Sequence, residues 1–156
     1  MDLKQLYQDI ILEHGKSPRN FGKCEKYTHE AKGHNPLCGD KVQIFLNLNK
    51  DKKVENLTFE GSGCAISMAS TSIMTELVKG KSLDVAKKIV FDFLDMIKNT
   101  QEIKSEDLDE DQKTKIMSLS GVKQYPMRVK CATLAWHTLS SAMLEKKEEV
   151  NTEAID

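Results

Sequence analysis

Apolar positions recur at helical steps in some stretches of the chain and alternate in others, and this pattern sets the expected elements. Leu3, Leu6, Tyr7, Ile10 and Ile11 predict an amphipathic helix over residues 2–14, closing near Gly15, with Ser17-Pro18-Arg19-Asn20 leading away. Residues 21–37 show no clear period, and Thr28 to Ala31 reads as a short edge strand. From 41 to 48 the pattern alternates, with Val42, Ile44, Leu46 and Leu48 on one face and Lys41, Gln43 and Asn47 opposite. A turn at Asn49–Lys52 leads into a partner strand over 54–60, with Leu57 and Phe59 inward, so the two form an antiparallel hairpin.

Helical spacing then returns. Ile66, Ser70, Ile73 and Leu77, with Met74 and Val78 beside them, predict a helix over 64–79 that stops at Gly80. Ser82 suits the N-cap of a helix over 83–98, whose buried stripe is Ala86, Ile89, Val90, Phe93, Leu94 and Ile97. A short helix over 111–119 ends at Ser120-Gly121. Pro126 opens a last helix reaching about 145, on the stripe Val129, Ala132, Trp136, Leu139 and Met143. The polar stretch 145–156 is expected to fray.

No repeat and no linker interrupts this order, so residues 1–156 read as one domain. A chain of 156 residues buries enough surface to fold without staples. Its composition, 39% hydrophobic and 30% charged, is that of a globular protein. The net charge of −1, with no run of Lys and Arg, gives no reason to expect nucleic acid. No apolar run approaches the length of a membrane span, and the N-terminal residues lack the plan of a signal peptide. The expectation is a cytoplasmic chain with reduced thiols, so its four cysteines read as free, catalytic or metal-bound. The acids between Ser105 and Asp111 read as a solvated loop or a helix start.

Three of the cysteines fall at element mouths. In Asn35-Pro36-Leu37-Cys38-Gly39-Asp40, a thiol and a carboxylate stand two positions apart in a stiff bend before a strand. Gly61-Ser62-Gly63-Cys64 delivers Cys64 to a helix N-terminus, where unpaired N–H groups favour a thiolate. Cys131 lies one turn into the last helix, flanked by Arg128 and Lys130, whose charge is suited to lowering a thiol pKa. Cys24, between Lys23 and Lys26, reads as an incidental surface thiol. Cys38, Asp40, Cys64 and Cys131 together suit tetrahedral zinc. Spacing alone leaves unrelated reduced thiols as the competing reading, because the ligands come from distant segments.

The motifs Asn-Pro-Leu-Cys-Gly-Asp (35–40), Gly-Ser-Gly-Cys-Ala-Ile-Ser-Met-Ala-Ser (61–70) and Arg-Val-Lys-Cys-Ala-Thr-Leu-Ala-Trp (128–136) resemble the three signatures of the iron–sulfur assembly family containing IscU, SufU and the NifU N-terminal domain. Leu-Tyr-Gln-Asp-Ile-Ile-Leu-Glu-His (6–14) resembles that family's first helix. The resemblance implies an α+β fold, a small antiparallel β-sheet with helices packed on one side. The chain is more similar to the SufU branch, because Lys130 stands where the IscU branch has a histidine and because of the segment between Cys64 and Cys131. It implies Zn²⁺ held by Cys38, Asp40, Cys64 and Cys131, with Cys38 accepting persulfide sulfur from a SufS-like cysteine desulfurase and passing it to downstream assembly components. Cys24 matches no ligand position. A scaffold for an iron–sulfur cluster is the alternative, since soft thiolates suit both uses. A structural zinc domain for protein contacts is the second.

Overall fold

The computed structural model describes residues 2–99, 102–103 and 105–155. Met1, Thr100, Gln101, Lys104 and Asp156, which the one-domain reading of 1–156 includes, lie outside the described residues. The elements run α1 (Leu3–Lys16), β1 (His29–Asn35), β2 (Asp40–Leu48), β3 (Val54–Ser62), α2 (Ala65–Val78), α3 (Leu83–Lys98), α4 (Glu110–Met117), a 3₁₀ turn (Ser120–Gln124), α5 (Pro126–Met143), β4 (Val150–Asn151) and a second 3₁₀ turn (Thr152–Ala154).

The strands form one sheet in the order β3-β2-β1-β4. β2 and β3 pair antiparallel, as the hairpin pattern predicts, β1 also pairs antiparallel with β2, and β4 adds to β1 in parallel and makes the sheet mixed. Two expectations need correction here. β1 is a seven-residue interior strand, not a short edge strand over 28–31. Residues 150–154, expected to fray, form β4 and the closing turn, with Thr152 only 2% exposed.

The buried face of the sheet presents Val42, Ile44, Leu46, Leu57 and Phe59 to the helices. Ile73, Met74 and Leu77 of α2, Ile89 and Phe93 of α3, and Leu134, Trp136 and Leu139 of α5 complete that core. Trp136 stacks on Phe93 with ring centroids 4.0 Å apart. Its indole N–H donates to Ser70 Oγ at 2.8 Å, and the Ser70 hydroxyl donates to the carbonyl of Ala132. This buried link ties α2 to α5 and so fixes the spacing of the two helices whose N-terminal ends carry Cys64, the cap of α2, and Cys131, one turn into α5. Phe45 faces the other side of β2, where Tyr27 covers it at 5.3 Å between ring centroids.

The acidic run resolves into a helix start. Asp109 accepts from the backbone N–H of Gln112, and the Gln112 side chain accepts from the backbone N–H of Asp109. Glu110 and Asp111 occupy the first turn of α4, at the positive end of its dipole. Among the described residues, no helix is long and apolar enough to cross a membrane.

Candidate metal centre

Asn35 and Asp40 are the last and first residues of β1 and β2 and pair across the ladder, so residues 36–39 form a tight connection between them. The Gly39 N–H donates to the carbonyl of Asn35 at 2.9 Å, closing the turn. Gly39 carries φ +72°, a conformation that glycine adopts without steric cost. Leu37 and Gly39 are exposed and Cys38 between them is half-buried, so this thiol stands at the rim. Asp40 and Cys131 lie beneath it, 0% and 1% exposed.

Cys38, Asp40 and Cys131 each offer one ligand atom, and these atoms lie within 4.8 Å of one another. The two sulfurs are 3.5 Å apart. Zinc bound through thiolates at about 2.3 Å in a tetrahedron sets neighbouring sulfurs about 3.8 Å apart, so this spacing fits the metal. Burial pushes the Cys131 thiol far above the ordinary thiol range, with Asp40 and the neighbouring thiols Cys38 and Cys64 adding to the effect. For both of these closely spaced sulfurs to be deprotonated, they need a cation to share.

The Asp40 carboxylate divides its work. Oδ1 accepts the backbone N–H of Cys64 at 2.9 Å, while Oδ2 faces Cys64 Sγ at 4.0 Å and the Asn35 amide at 3.4 Å. Gly63 makes this possible, because a Cβ there would overlap Oδ1 and lie 3.0 Å from Cγ. Cys64 is the N-cap of α2, with its sulfur 3.5 Å from the N–H of Ser67. It stands beside the compact Cys38–Asp40–Cys131 group as the fourth donor expected from sequence, and it lies outside the set whose ligand atoms are all mutually within 4.8 Å.

The flanking cations differ in placement. Arg128 is exposed and lines an open groove shared by α1, the Ser120–Gln124 turn and the start of α5. The Lys130 ammonium is 2.8 Å from Glu153 Oε1, so its charge is paired across to the closing turn. Cys24 is far from the group and, contrary to expectation, buried at 7% exposure. Its sulfur accepts from the Asn56 amide at 3.5 Å and donates to the carbonyl of Lys26 at 3.4 Å.

Two residues that sequence reasoning did not assign touch the site. Asn35 is fully buried and its amide points to both Asp40 Oδ2 and Cys131 Sγ, the latter at 3.7 Å. Thr152 donates its hydroxyl to Asn35 Oδ1 at 3.0 Å. Asn35 belongs to the Asn-Pro-Leu-Cys-Gly-Asp motif and was findable there, whereas nothing local marks Thr152.

Comparison with known proteins gives a consistent picture. The family model for the NifU-like N-terminal domain matches residues 6–144. The zinc-dependent sulfurtransferase SufU of Bacillus subtilis is 38% identical over 146 residues, covering 94% of this chain and 95% of that protein. The iron–sulfur cluster assembly scaffold protein IscU of Streptococcus pyogenes is 34% identical, covering 90% of this chain and 84% of that one. Among solved structures, the SUF-system protein FiSufU of Fervidobacterium islandicum superposes with a TM-score of 0.76 at 35% identity, covering 89% of this chain and 97% of that chain. The N-terminal NifU-like protein of Brucella abortus shares the fold at a TM-score of 0.77 and 22% identity, covering 94% of this chain and 99% of that chain. With the Cys38, Cys64 and Cys131 motifs inside the matched region, the chain belongs to the NifU-like N-terminal domain family, the iron–sulfur cluster assembly family of SufU and IscU.

Proposed function

We propose that this protein is a zinc-dependent sulfur acceptor that takes persulfide sulfur from a cysteine desulfurase on Cys38 and passes it into iron–sulfur cluster assembly. The observation that carries the reading is the layering of the site, with the half-exposed Cys38 thiol at the rim, 3.5 Å from the buried Cys131 sulfur and above the buried Asp40 carboxylate. Cys38 is thus reachable by a partner while Cys131 and Asp40 stay sealed, and the equally half-buried Cys64 is engaged at the N-cap of α2. The similarity to a zinc-dependent sulfurtransferase over nearly the whole chain supports the same reading.

Cys38, Asp40, Cys64 and Cys131 would hold the metal. Zinc bound there supplies positive charge that keeps its thiolate ligands deprotonated at neutral pH. The transfer itself belongs to Cys38. Its thiolate attacks the outer sulfur of the donor persulfide, forming a new S–S bond to Cys38 Sγ. The donor's S–S bond breaks, and its electron pair leaves on the donor's thiolate, which takes up a proton from water. Oxidation level is conserved, because sulfane sulfur moves from one thiol to another. Leu37 and Gly39, exposed on either side, leave the rim open to the approaching persulfide.

The scaffold reading rests on the IscU relatives and on the compatibility of thiolates with iron–sulfur clusters. Lys130 weighs against it, since it stands directly before Cys131 where the scaffold branch carries a histidine. Anaerobically purified protein is expected to carry one equivalent of zinc, to lose thermal stability on chelation, and to raise the turnover of a cysteine desulfurase. An iron–sulfur chromophore in place of zinc would favour the scaffold, and zinc without any effect on the desulfurase would favour a structural zinc domain.

A further inference from the structure

We propose that Asn35 is a positioning residue for the Cys131–Asp40 donor pair, and that the Thr152 hydroxyl holds it in that role. The inference rests on the metal-binding reading above and adds to it two residues outside the ligand set.

The geometry starts from the sheet. β4 pairs in parallel with β1 through Gly33 with Val150 and His34 with Asn151, so the next step in register sets Thr152 beside Asn35. Both side chains are buried, at 2% and 0% exposure. The Thr152 hydroxyl donates to Asn35 Oδ1 at 3.0 Å. With its oxygen so engaged, the amide turns Nδ2 toward Asp40 Oδ2 at 3.4 Å and Cys131 Sγ at 3.7 Å. The polarity of the chain is fixed by chemistry. A carboxylate and a thiolate are acceptors, so the amide must present its nitrogen to them, and its oxygen then needs a donor on the other side. Thr152 is that donor. An outer hydrogen bond of this kind orients a ligand and spreads its negative charge.

The segment bearing Thr152 is fastened for the purpose. Glu145, Glu149 and Glu153 lie four residues apart, with carboxylate oxygens 3.3 Å from His29 Nε2, 3.1 Å from His34 Nδ1 and 2.8 Å from Lys130 Nζ, the histidine contacts being ion pairs when the imidazole is protonated. Two of those partners sit on β1 and the third on α5, the elements that end in Asn35 and carry Cys131. Close contact between the same elements is secured at Gly33, where a Cβ would overlap the Thr138 hydroxyl.

The test uses the full chain with zinc and, separately, cobalt(II) as probes. Affinity is read by competition with a chromophoric chelator, and the donor environment by the thiolate-to-cobalt absorption band. Thr152→Val keeps volume and removes the donor; Thr152→Ser keeps the donor. Thr152→Val is expected to weaken zinc about 10-fold or more, within the 10–100-fold range of lost outer hydrogen bonds. Its cobalt band should move to lower energy, because the Cys131 sulfur loses a hydrogen bond that stabilises its lone pairs. Thr152→Ser should stay near wild type. Asn35→Ala should lose at least as much as Thr152→Val, and the double variant no more than Asn35→Ala, since the two act as one chain.

Wild-type affinity and spectrum in Thr152→Val, equal losses in the Ser and Val variants, or additive losses in the double variant would overturn the proposal while leaving the metal reading intact. A wild-type chain that binds neither zinc nor cobalt overturns the metal reading and this inference together. Should Thr152→Val not fold, Asn35→Ala decides alone, and unchanged affinity there overturns the proposal.

Discussion

Gly63→Ala is the sharpest mechanical test of the site. The added methyl would overlap Asp40 Oδ1 and lie 3.0 Å from Asp40 Cγ and 3.1 Å from its Cα. The last of these is backbone of β2, so the strain cannot be relieved by rotating a flexible side chain. The carboxylate must shift, and the 2.9 Å bond from the Cys64 N–H to Oδ1 is lost or stretched. A hydrogen bond to a charged acceptor contributes about 1.5–3 kcal/mol, and overpacking in a filled site costs about 1–3 kcal/mol. The two overlap, because moving the carboxylate relieves the clash, so a net loss of about 2–4 kcal/mol is expected. For a domain of this size that lowers Tm by about 4–16 °C at 2–4 °C per kcal/mol. The assay is a thermal melt of metal-free protein, with Gly121→Ala as control because nothing lies within 4 Å of a Cβ built there. Zinc affinity should fall in the same variant, since Oδ2 moves with Oδ1. A melt and an affinity indistinguishable from the Gly121→Ala control would refute the claim that Asp40 is wedged against Gly63.

Cys38→Ser should abolish sulfur uptake, and Asp40→Ala should retain part of the zinc and still take up sulfur on Cys38. Mass spectrometry after incubation with a cysteine desulfurase and cysteine checks both, and sulfur on Cys131 that persists in Cys38→Ser would remove Cys38 from its role. Cys24→Ser should keep full zinc content because Cys24 sits with Asn56 and Lys26 away from the site, and loss of a full equivalent would count against that placement. Burial of His14 between α1 and α2, with Arg19 and Lys115 nearby, outweighs Glu76 and lowers its pKa below the usual value of about 6.5. The unfolded chain therefore takes up this proton first as pH falls, so the His14 contribution is complete above pH of about 6.5 and is lost below it. His14→Gln should flatten the fall of Tm between pH 7.5 and 5.5, and an equal fall in both proteins would show that His14 does not titrate as described.

Periodicity carried much of the fold. α3 runs from Leu83 to Lys98, as its apolar stripe and Ser82 cap predict, and α2 and α5 lie within two residues of their expected ends. β1 carries little strand signal for a physical reason. Its buried positions are Ala31, Gly33 and Asn35, which are small or polar because α5 lies close over them, so the strand has no apolar alternation to detect. The 145–156 stretch was misread from its polarity, yet Glu145, Glu149, Glu153 and Thr152 are the groups that fasten it. At the site, Cys38, Asp40 and Cys131 bring their ligand atoms within 4.8 Å of one another, a grouping that spacing leaves open because the donors lie in distant segments and that only the motif resemblance implies. The buried setting of Cys24 and the pairing of Lys130 with Glu153 are not legible, because both depend on contacts between segments distant in the chain that no local pattern encodes.

The hydrogen bond between Thr152 and Asn35 joins residues 117 positions apart, and the Cys38 and Cys131 sulfurs meet across 93. In order of synthesis, the hairpin β2–β3 and α2 precede Cys131, which lies 93 residues after Cys38. During that interval Cys38 and Cys64 face solvent without their deepest partner, so the nascent chain offers an incomplete chelator. On the proposed ligand set, full coordination needs α5, and the Asn35–Thr152 hydrogen bond needs residue 152. Closing such long loops is slow relative to helix and hairpin formation. The order of synthesis thus leaves Cys38 and Cys64 without Cys131 over the interval in which β1–β3 and α2 have been made and α5 and β4 have not.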